Sequence, residues 1–119
     1  MDKYPRLRIV LPMIGVAALI FAGLAEQEYT RDDGWKGSAP GAARKNLYID
    51  TMGFDLSTLR FALDLLGPEH LIIGSDWPIM PITTRRRVDE ILLHLNLTEA
   101  QKAAVLSGNT ERLLTPITD

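Results

Sequence analysis

The stretch His70-Leu71-Ile72-Ile73-Gly74-Ser75-Asp76-Trp77-Pro78 decides the fold. Residues 70–75 read as a short apolar strand, too apolar to have one face in water, and so as a strand of a parallel sheet covered by helices. Asp76-Trp77-Pro78 follows its C-terminal end, where parallel α/β folds gather their ligands. Just upstream, Gly67-Pro68 stops a helical pattern, because Gly tolerates a left-handed cap and Pro cannot continue the helix. Leu56, Leu59, Leu63 and Leu66 recur at three- and four-residue steps and make one apolar stripe, with Asp55 placed to cap the first turn.

Outward from there the alternation repeats. Residues 46–51, Asn-Leu-Tyr-Ile-Asp-Thr, read as a second strand, and Arg8-Ile9-Val10-Leu11 before Pro12 as a third. From Val16 to about Arg31 there is no Pro and much Ala, Leu and Glu, which favours helix. Residues 32–45, with Asp-Asp-Gly, Lys-Gly-Ser and Ala-Pro-Gly, form a loop. On the other side, Val88, Ile91, Leu92 and Leu95 repeat at helical spacing. Thr98 with Gln101 forms a capping box, and Asn109 is placed to cap a last turn holding Leu113 and Leu114. The expected class is α/β: three parallel βα units followed by C-terminal helices, joined by right-handed crossovers. A full eight-stranded barrel needs about 250 residues, so the 119 residues are too few for one and read as a single unit, 1–119, that is either a fragment or completed by further copies.

Composition limits the function. Hydrophobic residues make 46% of the chain and charged residues 24%, an ordinary globular mixture. With 13 Lys and Arg against 15 Asp and Glu, the net charge of −2 points to no nucleic-acid partner. The absence of Cys removes disulfides, thiolate ligands and a thiol nucleophile, and suits a cytoplasmic protein. Residues 9–25 carry no charge and follow Lys3, Arg6 and Arg8, which imitates a secretory signal or a membrane-associated segment. The run is shorter than the ~20 residues that span a bilayer, and Pro12 and Gly15 interrupt it. A buried strand leading straight into an apolar helix is the preferred reading.

Asp76 is the candidate site residue, as a divalent-metal ligand or as a catalytic carboxylate that takes a proton from metal-bound water. A turn-capping role fits its position equally well. His70 precedes its strand and is expected at the surface, away from Asp76. His94, near Ile91, Leu92 and Leu95, is expected to be a partly buried structural residue rather than a ligand. Ser75 lacks a neighbouring His and a nucleophile-elbow pattern. Arg85-Arg86-Arg87 reads as a solvated face in preference to an anion site, and Trp35 as part of a surface loop.

Three segments together carry a resemblance: residues 46–51, residues 65–78 (Leu-Leu-Gly-Pro-Glu-His-Leu-Ile-Ile-Gly-Ser-Asp-Trp-Pro) and residues 106–114 (Leu-Ser-Gly-Asn-Thr-Glu-Arg-Leu-Leu). In order and spacing they resemble the end of the amidohydrolase-related family, which includes aminocarboxymuconate-semialdehyde decarboxylase, related aromatic-acid decarboxylases and ring-cleavage hydrolases. The resemblance implies the sixth to eighth strands of a TIM-like barrel, a divalent metal (Zn or Mn) in the family, and small carboxylated substrates. It assigns Asp76 the metal-ligating or proton-handling carboxylate after the eighth strand. It also marks departures. Met13 stands where the family has a proton-transferring His, Val16 replaces a Gly, and Leu19 and Leu24 fall where a Pro and a substrate-facing Arg are usual. The His-x-His pair of the first strand and the fifth-strand His have no counterpart. The isolated chain is therefore expected to be inactive and to hold no metal by itself. Open sheet edges and an apolar first helix lead to the expectation of self-association or pairing with the missing barrel half. A non-catalytic scaffold is the alternative.

Overall fold

The structure, a computed structural model, describes residues 4, 6–12, 15–31, 44–52, 55–75, 77–79 and 84–116. Three strands, β1 (Ile9–Leu11), β2 (Leu47–Asp50) and β3 (Leu71–Ile72), form one parallel sheet in the order β1-β2-β3. Ile9, Val10 and Leu11 stand opposite Leu47, Tyr48 and Ile49, and Ile49 and Asp50 stand opposite Leu71 and Ile72. Sequential order with right-handed crossovers puts successive helices on one face, as in a barrel wall. Membership of the helix-side core follows the two-residue period, although Tyr48 and Ile72 on the other face are buried too. Leu11, Leu47, Ile49, Leu71 and Ile73 join the helix-side core, whereas Val10, Tyr48 and Ile72 lie outside that cluster.

The apolar stretch near the N-terminus resolves into β1 and helix α1 (Gly15–Arg31), as the strand-then-helix reading expects. Among the described residues no helix is long and apolar enough to cross a membrane. Leu19 is 1% exposed in the core. On another side of α1, Ala17, Ile20, Phe21 and Leu24, spaced i, i+3, i+4, i+7, form an exposed apolar stripe.

Helix α2 (Leu56–Leu66) is capped by Asp55, whose Oδ1 accepts the Thr58 N–H at 2.8 Å. Leu59 is fully buried, and Leu56, Leu63 and Leu66 pack around it. Gly67 ends the helix at φ 88° and donates its N–H to the Leu63 carbonyl at 2.8 Å. Pro68 then opens a single 3₁₀ turn, residues 68–70, that leads into β3. Helix α3 (Thr84–His94) buries Val88, Ile91 and Leu92, with Leu95 just beyond it. Asn96, at φ 53°, turns the chain away.

The last helices form one continuous run over residues 99–114: α4 (Glu99–Ala103), a π-turn (Ala104–Gly108) and α5 (Asn109–Leu114). The Thr98/Gln101 capping box is complete, the Gln101 Oε1 accepting the Thr98 N–H at 2.8 Å. Asn109 does not cap. It lies inside the helical run, because Gly108 before it is already helical (φ −57°, ψ −36°). Its side chain is wholly buried, and its Nδ2 donates to the carbonyls of Pro68 at 2.8 Å and Leu71 at 2.7 Å. Those carbonyls stand on either side of the turn into β3, so one amide closes both. Arg112 adds bonds to the Asn109 Oδ1 at 3.1 Å and the Glu69 carbonyl at 2.6 Å. Arg8, just before β1, donates to the carbonyls of Arg112 at 2.6 Å and Thr115 at 2.8 Å. A cation over the last carbonyls of α5 also meets the negative end of its dipole.

Candidate functional site

The N-terminal and C-terminal ends of the sheet differ in character. At the N-terminal end the polar groups are consumed by structure. His70 is half-buried, not a free surface residue, because its Nδ1 lies 2.7 Å from the Leu47 carbonyl and its ring packs 5.4 Å from that of Tyr48. His94 is exposed, contrary to the partly buried position expected of it. At 100° per residue it sits roughly 110° from the centre of the Val88, Ile91, Leu92, Leu95 stripe, outside the buried face. Its carbonyl accepts from Arg60 at 3.0 Å. An open depression of about 340 Å³ lies at this end and includes Arg60, Asp64, Pro68, Asn96 and Gln101 among its lining residues. Arg86 is solvated and paired with Glu90 at 3.0 Å, as the charged-face reading expects.

The C-terminal end is where a carboxylate is presented. β2 closes with Asp50, and Thr51 follows it. After its last residue the Asp50 Oδ1 accepts the Met52 N–H at 3.3 Å, which turns the chain out of the sheet. β3 keeps its ladder only to Ile72, whose carbonyl accepts the Thr51 N–H at 3.0 Å. Beyond that point a side chain takes over. The buried Thr51 hydroxyl accepts the Gly74 N–H and donates to the Gly74 carbonyl, both at 3.3 Å. A Cβ on Gly74 would lie 2.9 Å from both the Cβ and Oδ2 of Asp50, so the Asp50 carboxyl group occupies the space that a side chain at 74 would fill. Ser75 Oγ then accepts the Trp77 N–H at 3.3 Å, and the Trp77–Pro78 peptide is cis. Trp77 is exposed.

Asp76, the residue on which the sequence reading concentrates, lies outside the described residues, as do Met13 and Trp35. Its described neighbours do not gather a metal site. Among the described residues no group of three or more His, Cys, Asp or Glu comes together. His70 stands six residues before Asp76, about 20 Å along an extended strand, and it is engaged with Leu47. Leu95, Asn96 and Leu97, which follow His94, line a depression with Pro68 on the N-terminal side of β3, while His94 itself lies beside Leu56, Glu90 and Ile91. A closed metal site takes four ligands and a catalytic one usually three from protein. The described residues do not fit that requirement. The sequence pattern missed Thr51, whose alternation and β-branching mark it only as a strand residue.

Parallel strands in sequential order, helices on one face and an Asp-bearing C-terminal edge define a segment of an α/β barrel wall. The amidohydrolase family model matches residues 1–115, and the chain belongs to that family. Among solved structures, the chain is 28% identical to 5-carboxyvanillate decarboxylase from Sphingomonas paucimobilis, with TM-score 0.74 over 94% of this chain and 35% of that one. A second structure, described as amidohydrolase II, is 29% identical with TM-score 0.74, and the match covers 97% of this chain and 37% of the other. A dihydroxybenzoic acid decarboxylase from a Polaromonas species, solved with bound manganese and 2-nitroresorcinol, shares the fold at 22% identity and TM-score 0.74, over 94% of this chain and 35% of that chain. The chain thus spans about a third of the length of these structures. No curated protein sequence matches it.

Proposed function

We propose that this chain is the C-terminal portion of a metal-dependent amidohydrolase-family barrel that decarboxylates or hydrolyses a small carboxylated compound, and that it is not catalytic alone. One observation carries the reading. The backbone runs past the end of β3 to Gly74 with the Asp50 carboxyl group seated against it, and Asp76 follows two residues later in the sequence. Residues just past the C-terminal ends of barrel strands are where this architecture places its chemistry. In this reading Asp76 supplies one carboxylate, as a ligand or as a holder of a proton, and barrel strands that the sequence does not contain supply the other donors. The likeness to a decarboxylase of a carboxylated aromatic compound supports the substrate class, and the lack of Cys suits a cytoplasmic setting.

The test is elemental analysis of the chain purified without chelator, challenged with excess Mn²⁺ or Zn²⁺ and then dialysed. The expected metal content is near zero, with no CO₂ release from carboxylated phenols. Residues 44–119 grafted in place of the matching part of the Sphingomonas decarboxylase, so that Met13 and Leu24 stay outside the exchange, are expected to support turnover that Asp76→Asn abolishes. A metal retained near one per chain by the isolated protein, or turnover indifferent to Asp76→Asn, would overturn the proposal.

A second reading, a self-associating scaffold, is favoured by the outward stripe on α1, where Ile20, Phe21 and Leu24 are 55%, 68% and 54% exposed. Such a stripe beside two open strand edges favours association. Sedimentation velocity is expected to show a concentration-dependent oligomer that Phe21→Asp shifts to monomer. A monomer at the highest concentration reached would sink this reading.

A further inference from the structure

The top of the sheet is held by a side chain where a backbone ladder would otherwise continue. In a parallel pair, each strand offers evenly spaced N–H and C=O groups to its neighbour. β2 and β3 follow that rule up to the Thr51 N–H on the Ile72 carbonyl at 3.0 Å. The next ladder partner for the Gly74 N–H would be a carbonyl of β2, but β2 has already turned away at Met52. Gly74 is half-buried, and the cost of leaving its N–H and C=O without partners approaches the roughly 1–3 kcal/mol of a buried group as water is excluded. One hydroxyl fills both vacancies, since a Thr Oγ1 accepts from the Gly74 N–H and donates to the Gly74 carbonyl, at 3.3 Å in each case. Thr51 is 2% exposed, so water does not compete freely for these bonds.

We infer that Thr51 is a positioning residue beside the candidate site, fixing the backbone of Gly74 and, through it, of Ser75, the residue that precedes Asp76 in the sequence. The inference rests on reading Asp76 as the functional carboxylate, and it extends that reading to a residue at the end of a different strand. The hydroxyl is the part that acts. The methyl group of Thr51 packs in the same place in Val, which keeps the shape and loses both bonds. Ser keeps the hydroxyl and loses the methyl group. The two substitutions therefore separate positioning from packing.

The experiment is native-state amide hydrogen exchange on the full chain, comparing Gly74 and Ser75 with Ile49 and Leu59 as reporters of global opening. Thr51→Val is expected to raise exchange at Gly74 about tenfold, the equivalent of one lost hydrogen bond, while the Ile49 and Leu59 amides change less. Thr51→Ser is expected to stay within about twofold of wild type at Gly74. In a Trp35→Phe background, iodide quenching of Trp77 should follow the same order. Equal exchange in wild type and Thr51→Val would overturn the inference, and so would a Ser variant as fast as the Val variant, which would make the methyl packing decisive. These readouts need neither metal nor turnover. A failed graft in the catalytic test therefore leaves the exchange result standing, and an unchanged exchange pattern leaves the assignment of Asp76 untouched.

Discussion

Asn109→Asp is expected to destabilise the chain by about 3 kcal/mol at neutral pH, through loss of the two bonds that its amide gives to the Pro68 and Leu71 carbonyls. The exchange of one NH₂ for one oxygen leaves volume almost unchanged, so no cavity contributes. What changes is the sign of the contact. A carboxylate oxygen would face two carbonyl oxygens in a site with no exposed surface, and both carbonyls would lose their donor. The Arg112 guanidinium, 3.1 Å from Oδ1, offsets part of this by meeting a charged acceptor. Burial raises the pKa of the introduced carboxyl group in the folded state above its unfolded value. The folded state then binds more protons than the unfolded state, so the variant's stability falls as pH rises through that window. Conversely, the deficit against wild type is expected to shrink as pH falls through that window and to be smallest below the usual carboxylate range, where a protonated carboxyl donates one of the two lost bonds. Urea midpoints at several pH values measure this. A deficit that stays flat with pH, or that lies below about 1 kcal/mol at neutral pH, would mean the two carbonyls find other partners.

Asn109 also shows what the sequence could and could not disclose. Its partners lie 41 and 38 residues away, and no local periodicity encodes such a pairing. From spacing alone, Asn before Leu113 and Leu114 reads as a cap. The π-turn over Ala104–Gly108 hides the alternative, since one wider turn shifts the phase of every residue that follows. Where local chemistry settles the matter, the reading holds. Asp55 caps α2, Thr98 and Gln101 form their box, and Gly67 takes the positive φ that ends a helix before Pro68. The strands were legible as apolar runs, but β3 is only two residues long because the neighbouring strand turns away. The two His residues illustrate the same division. His94 was misplaced because apolar neighbours in sequence are not neighbours on a helix surface. His70 finds its partner across the sheet, in Leu47, rather than along the chain. Of the candidate site, the sequence offered Asp76 by position and resemblance, while the Thr51 and Asp50 contacts to Gly74 needed the register between strands.

Gly74→Ala is expected to cost about 2 kcal/mol, and the cost is expected to fall sharply in an Asp50→Gly background, which removes both the Cβ and the carboxyl group. The requirement for glycine here is one of room. Gly67 is the glycine with positive φ among the described residues, so Gly74 is not held by a left-handed backbone. A methyl group at 74 would sit 2.9 Å from the Asp50 Cβ and Oδ2, closer than nonbonded carbon atoms approach. Rotation of Asp50 moves its carboxyl group and disturbs its bond from the Met52 N–H but leaves its Cβ in place, so relief also requires retreat of the backbone at 74 from the Thr51 hydroxyl. Each movement loosens the end of the sheet that leads to Asp76. A double-mutant cycle with Asp50→Gly separates the clash from any intrinsic preference for glycine, with an expected coupling of about 1–2 kcal/mol in the direction of rescue. If Gly74→Ala costs the same in both backgrounds, the Asp50 contact is not what demands glycine. If the coupling is present, the Gly in Gly-Ser-Asp-Trp is explained by a carboxylate on the adjacent strand, and the short motif in the sequence belongs to a two-stranded device.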